Sequence, residues 1–111
     1  MTALPNIALA FARECMGWKV ELSHGSVTRN SEGCLQHFRF NDLNVVIEAV
    51  QGFCAINDHI FVLSSIGRGG RYVGATISKC TSITSGVESD NPCLALMSAC
   101  VEAARRIKEV A

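Results

Sequence analysis

The chain has 111 residues, with ten Lys and Arg against ten Asp and Glu, and 49% of its residues are hydrophobic. That length holds one hydrophobic core and so one domain, residues 1–111. A formal net charge of zero and a pI near 6.8 exclude the one-signed field needed to coat a polyanion, so no DNA or RNA partner is expected; an apolar share near half also excludes disorder.

The first periodic segment runs from about Pro5 to Met16, where Ile7, Phe11 and Cys15 recur every four residues beside Leu4, Ala8 and Ala12. This spacing predicts an amphipathic helix with Pro5 in its first turn and Gly17 at its end. Trp18 to Leu22 then alternates apolar with charged residues, the period of a half-buried strand. Ser23 to Gly33 is polar and reads as a loop or an irregular hairpin, and Leu35 to Phe40 as a short strand. Asn41 and Asp42 offer caps to a second helix whose stripe is Leu43, Val46, Ile47, Val50 and Phe53, ending at Gly52 or just after. His59 to Ile66 and Arg71 to Ser78 form a hairpin around the turn Gly67-Arg68-Gly69-Gly70. After the polar stretch Thr81 to Asp90, Ser89-Asp90-Asn91-Pro92 marks the start of a third helix of about four turns, with Leu94, Met97, Val101 and Ala104 on its apolar face. The expected architecture is α+β: a layered α/β/α sandwich with an antiparallel sheet and three helices, in the order helix, strand or strands, helix, hairpin, helix.

No cationic N-terminal region precedes the apolar stretch from Ile7 to Ala12, and no segment reaches the roughly 20 apolar residues that cross a bilayer. A cytosolic chain with no membrane partner is expected. The six cysteines, Cys15, Cys34, Cys54, Cys80, Cys93 and Cys100, are widely spaced without a paired motif. They read as reduced, buried thiols acting as small hydrophobes; a zinc site, a disulfide and a reactive nucleophile are the alternatives.

Seven of the ten cations are Arg, and from His59 to Val87 the chain carries Arg68, Arg71 and Lys79 with no acidic residue. Arg forks suit phosphate, the glycines allow close approach to the main chain, and Tyr72 can stack on a base. The competing reading is a Gly-rich turn with solvated Arg side chains. The pattern opens a strand and is neither a Walker loop nor a dinucleotide fingerprint. Asn91 reads as a helix cap or as an anion contact at a helix N-terminus. Arg105 and Arg106 read as complements to the helix dipole or as ligand contacts. His24, His37 and His59 are far apart, and Ser64-Ser65 lacks a nucleophile elbow, so no catalytic set is assembled and neither cofactor nor metal is expected.

Residues 7 to 18, Ile-Ala-Leu-Ala-Phe-Ala-Arg-Glu-Cys-Met-Gly-Trp, resemble the opening helix and Met-Gly-Trp corner of the phage ABA-sandwich domain, a family of small tailed-phage proteins. Glu88 to Cys100 is similar to that family's closing acidic-small-Pro segment and Ala-rich helix, and Asn41 to Phe53 lies where the family has its middle helix. The Gly-Arg-Gly-Gly-Arg turn departs from the family pattern, so no role of that turn is inherited. The resemblance implies a three-layer fold and a viral origin. Some small phage proteins that look like this domain are Thoeris anti-defence sponges, which hold cyclic ADP-ribose isomers or cyclic oligonucleotides without cleaving them. The resulting expectation is a non-enzymatic counter-defence protein in the infected host's cytosol. Arg68 and Arg71 would meet phosphates, Tyr72 or Trp18 a base, and Asn91 or Arg105 ribose or phosphate. Because one core of 111 residues cannot also wrap a dinucleotide, a homo-oligomer with the site between chains is expected. The alternatives are an interaction module that binds a host or phage protein through its helical face, and a small hydrolase of the same messengers.

Overall fold

The computed structural model describes residues 3–23, 26–31, 33–66, 70–78 and 84–110. Helix α1 spans Ala3–Glu14 and buries Ala8, Phe11 and Ala12. Gly17, at φ +71°, turns the chain sharply after it, and the Trp18 amide folds back to donate to the Ala12 carbonyl at 2.9 Å. Only Gly takes that left-handed conformation without strain, so the glycine fixes where Trp18 stands. Strands β1 (Glu21–Ser23), β2 (Ser26–Ser31) and β3 (Cys34–Phe38) follow as one antiparallel sheet in the order β1-β2-β3.

Helix α2 spans Leu43–Asn57 and is capped by Asp42, whose side chain accepts from the Asn44 amide. It runs past Gly52, where the sequence suggested a stop. A helical glycine costs about 1 kcal/mol relative to Ala, whereas burying Phe53 and Cys54 in the next turn returns more than that. Asp58, at φ +54°, ends the helix instead, one of the few non-glycine residue types that tolerate this region. Strands β4 (His59–Ile66), β5 (Arg71–Ser78) and β6 (Thr84–Ser89) make a second antiparallel sheet in the order β4-β5-β6. Helix α3, Pro92–Val110, then runs for 19 residues, longer than the four turns expected.

The α+β class, the three helices and the antiparallel hairpin at 59–78 are as the sequence implies, but the strands divide between two sheets. Two strands lie in stretches that look polar and loop-like: β2 is the hairpin reading of 23–33, and β6 falls inside Thr81 to Asp90. Neither owes its existence to hydrophobic alternation. Each is held by pairing with a neighbour, Val27↔Phe38 through Ser31↔Cys34 for β2 and Tyr72↔Ser89 through Ile77↔Thr84 for β6. The alternation from Trp18 to Leu22 yields a strand only from Glu21 onward, because the first residues are taken up by the turn out of α1.

Helix α3 lies across β5 and β6, and α1 and α2 pack against α3. Its closest approach is at Gly74. A Cβ built there would lie 2.6 Å from the Ala95 carbonyl carbon and oxygen and 2.7 Å from the Leu96 nitrogen. The core gathers Phe11, Val46, Val50, Leu96, Met97 and Cys100 from the helices, Val27 from the first sheet and Thr76 from the second, all fully buried. Cys54, Cys93 and Cys100 are buried thiols, Cys15 is half-buried and Cys34 is exposed; Cys80 lies outside the described residues. No described helix is long and apolar enough to cross a membrane.

Candidate functional site

The turn after α1 and the β2–β3 hairpin enclose a cleft of about 630 Å³, lined by Arg13, Trp18, Lys19, Thr28, Arg29 and Leu35 among others. Three of its lining residues are cations, and no acid is among the described residues that line it. That volume is within the range of small-ligand sites.

Each basic group is placed by local structure. Val27 is fully buried and pairs with Phe38, so Arg29, two residues on, shares its face of the sheet one step beyond the core. There its guanidinium lies over the Trp18 ring, 3.9 Å from the centroid, while Nε donates to Oε1 of its cross-strand partner Gln36 at 2.6 Å. Arg13, in the last turn of α1, donates from Nη2 to the Val20 carbonyl at 3.0 Å, which ties the helix to the approach of β1. Lys19 is exposed between them in sequence. Trp18 itself is braced from the core: its ring meets Phe38 edge-on at 6.3 Å, and Phe38 stacks on Phe11 at 5.7 Å. The result is a guanidinium held flat on an aromatic ring that is in turn fixed to the core. Cation–π stacking and Arg's planar fork together make a preorganised anion contact with a planar outer surface. On the other side of Trp18 lies a smaller hollow of about 380 Å³, whose walls include His37, Val45 and Glu48.

Of the residues singled out from sequence, Trp18 alone lines this cleft. Arg29 lies over one face of the Trp18 ring, and that ring also borders the smaller hollow. Arg68 lies outside the described residues. Arg71 and Tyr72 point to opposite faces of β5, as successive strand residues must. Arg71 forms an ion pair with Glu88 at 3.0 Å. Glu88 lies one residue beyond the acid-free interval His59 to Val87, and β6 brings it alongside. Tyr72 is half-buried on the side of the sheet that carries Gly74. Asn91 caps α3, its Oδ1 accepting from the Cys93 and Leu94 amides at 2.9 and 3.3 Å. Arg105 grips Glu14 with two hydrogen bonds of 3.1 Å, joining α3 to α1, and that carboxylate holds its pKa above the ordinary value. Arg71, Tyr72 and Asn91 lie near one end of the β4–β6 sheet, where Tyr72 pairs with Ser89, whereas Trp18 stands at the cleft and Arg105 on α3 beside Glu14.

Sequence reasoning passed over Arg13, Lys19 and Arg29. The signal was present but weak: a lone Arg ending a helix, a Lys beside the only Trp, and an Arg in a polar stretch with no clear period. Among the described residues, no group of three or more His, Cys, Asp or Glu side chains is arranged to hold a metal ion.

Fold and cleft together define a small α+β domain with a preorganised cationic pocket beside an aromatic ring. No family model, no curated protein and no solved structure matches this chain.

Proposed function

We propose that this protein captures a small phosphate-bearing nucleotide in the open cleft around Trp18, on one chain and not between two as the chain length suggested, and holds it without turnover. The carrying observation is the convergence of Arg13, Lys19 and Arg29 on one cleft that no acid lines among the described residues, with Arg29 over the Trp18 ring. Phosphate oxygens meet the two guanidiniums and the Lys19 ammonium through charge-assisted hydrogen bonds. A base stacks on the outer plane of Arg29. The resemblance of residues 7–18 and 88–100 to the phage ABA-sandwich domain narrows the ligand class. It supports a cyclic messenger, a cyclic ADP-ribose isomer or a cyclic oligonucleotide, and a counter-defence role in an infected cell.

Calorimetry with cyclic ADP-ribose isomers and with cyclic di- and trinucleotides tests this reading. A Kd of about 10 μM or tighter, roughly −7 kcal/mol, is expected for at least one of them. Chromatography should then recover that ligand intact. Affinity should weaken with salt, because the cleft is open to solvent, and fall at least about tenfold in Arg29→Ala, which removes both the fork and the stacking plane. Absence of binding across the set, or an Arg29→Ala chain that binds as well as the wild type, overturns the proposal.

A further inference from the structure

The outer face of the β4–β6 sheet carries an apolar surface that the cleft does not use. Alternation places Ile60, Val62 and Ser64 of β4 and Arg71, Val73, Ala75 and Ile77 of β5 on this face, opposite the side on which Gly74 meets α3. The register sets them in contact rows: Ile60↔Ile77, Val62↔Ala75 and Ser64↔Val73. Ile60, Val62 and Ile77 keep 44, 41 and 39% of their surface exposed, and they are three of the five large hydrophobics exposed in the described chain. A fourth, Ile56 at 83%, sits at the end of α2, beside a groove of about 380 Å³ whose wall includes Ala55 and Ile60.

We propose that this face pairs with the same face of a second copy of the chain, sheet against sheet, about a two-fold axis. Three observations favour a copy over another occupant. The face is apolar and largely β-branched, which suits interdigitation with another pleated sheet at about 10 Å spacing. Its described charges are Arg71 and Glu88, already paired at one end. Among the described residues the face therefore carries no net charge to repel its own copy and no cationic surplus to recruit an anionic lipid surface, and a two-fold arrangement lets each ion pair complement the other. The area also fits. Strands of eight, eight and six residues at about 3.3 Å rise and about 4.8 Å spacing give a footprint of about 350 Å² per copy. With side-chain relief, two copies bury on the order of 1,000 Å², the lower bound of a specific interface. The dimer is accordingly one that dissociates in the micromolar range.

Sedimentation velocity over a dilution series tests this independently of ligand binding, because the cleft is built from one chain. The wild type is expected to be dimeric on the order of 100 μM and to dissociate at about 1 μM. Val62→Glu combined with Ile77→Glu should be monomeric throughout, with an unchanged far-ultraviolet spectrum and unchanged nucleotide titration. Should that variant fail to fold, Val62→Thr with Ile77→Thr keeps β-branching and should weaken dimerisation at least about tenfold. Arg71→Glu should also weaken it, and adding Glu88→Arg should restore it. A wild-type chain that stays monomeric on the order of 100 μM, whether or not it floats with phosphatidylcholine vesicles, overturns the proposal. So does a foldable doubly substituted chain that dimerises like the wild type.

Discussion

Each half of the molecule contributes one three-stranded antiparallel meander, β1–β3 before α2 and β4–β6 after it. The first has strands of three, six and five residues, and among its described side chains only Val27 and Phe38, which pair with each other, are committed to the core. Beyond that rung its side chains are free to be polar, and Arg29 and Thr28 become walls of a cleft. The second has strands of eight, eight and six residues, with one face packed by α3 and, at β4, by α2, and the other left apolar. Similar topology thus gives two different surfaces. A short, loosely committed sheet can present charge to a small ligand, while a long sheet with one face fixed by a helix presents its second face to a flat partner.

The contrast is most easily broken at Gly74. β5 can lie against α3 only because no side chain stands between that strand and the Ala95–Leu96 backbone. Gly74→Ala puts a methyl where backbone atoms already are, and backbone cannot rotate away as a flexible side chain does. A loss of about 3 kcal/mol is expected, and the melting midpoint should fall on the order of 10 °C. Circular dichroism against temperature reads this directly, and a midpoint within about 2 °C of wild type would mean that α3 does not seat on β5 as described.

Trp18 is the corresponding point in the first sheet. Trp18→Ala removes a half-buried ring, its edge contact with Phe38 and the surface that holds Arg29 flat. About 2 kcal/mol of stability should be lost, less than for a fully buried aromatic, together with at least about tenfold in nucleotide affinity. Trp18→Phe should recover most of the stability and part of the affinity. Urea denaturation and calorimetry on the same preparations separate the two effects. If Trp18→Ala lowers stability while leaving nucleotide affinity intact, Trp18 only packs.

How far these regions can be read from sequence follows from the same physics. His59 to Ile66 and Arg71 to Ser78 are legible to the residue, because β-branched alternation and a Gly-rich turn are local signals. The start of α3 is equally clear, since Asn91 and Pro92 act on the first helical turn alone. Strands β2 and β6 are nearly invisible, for their stability comes from partners elsewhere in the chain. The cleft is hidden for the same reason. Arg13 and Arg29 meet at Trp18 only after Gly17 turns the chain and the β2–β3 register places Arg29 beside Gln36. The Arg71–Glu88 pair shows the converse: the acid that Arg71 lacks in its own stretch is supplied by a neighbouring strand.

The thiols sharpen the comparison at intermediate cost. Cys34 opens β3 and is exposed, whereas Cys15, Cys54, Cys93 and Cys100 lie in or against the helical core. Burial, with the Glu14 and Cys54 charges adding to it, pushes Cys15 from 9.0 up to about 12, and burial raises Cys54, Cys93 and Cys100 as well. Alkylation at about pH 8 should therefore modify Cys34 well before these four. A raised native pKa means that the unfolded chain loses its proton first. The contribution of Cys15 to stability is thus constant below about pH 9 and declines as pH rises toward about 12. Stability measured by denaturant at stepwise increasing pH should fall across that window, and the fall should lessen in Cys15→Ser, whose hydroxyl does not titrate there.

The smallest effect is expected where the two halves are joined by charge alone. Arg105 reaches from α3 to Glu14 on α1 with good two-pronged geometry, but its side chain is 62% exposed. Water screens such a pair and ordering two long side chains offsets much of its attraction, so Arg105→Ala should cost less than about 1 kcal/mol. High salt should shrink even that difference. Nucleotide affinity should be unchanged, since Arg105 is not among the residues that line the cleft. A substitution here that halves nucleotide affinity while leaving stability alone would place a ligand across α1 and α3, and would move the site away from Arg29 and Trp18.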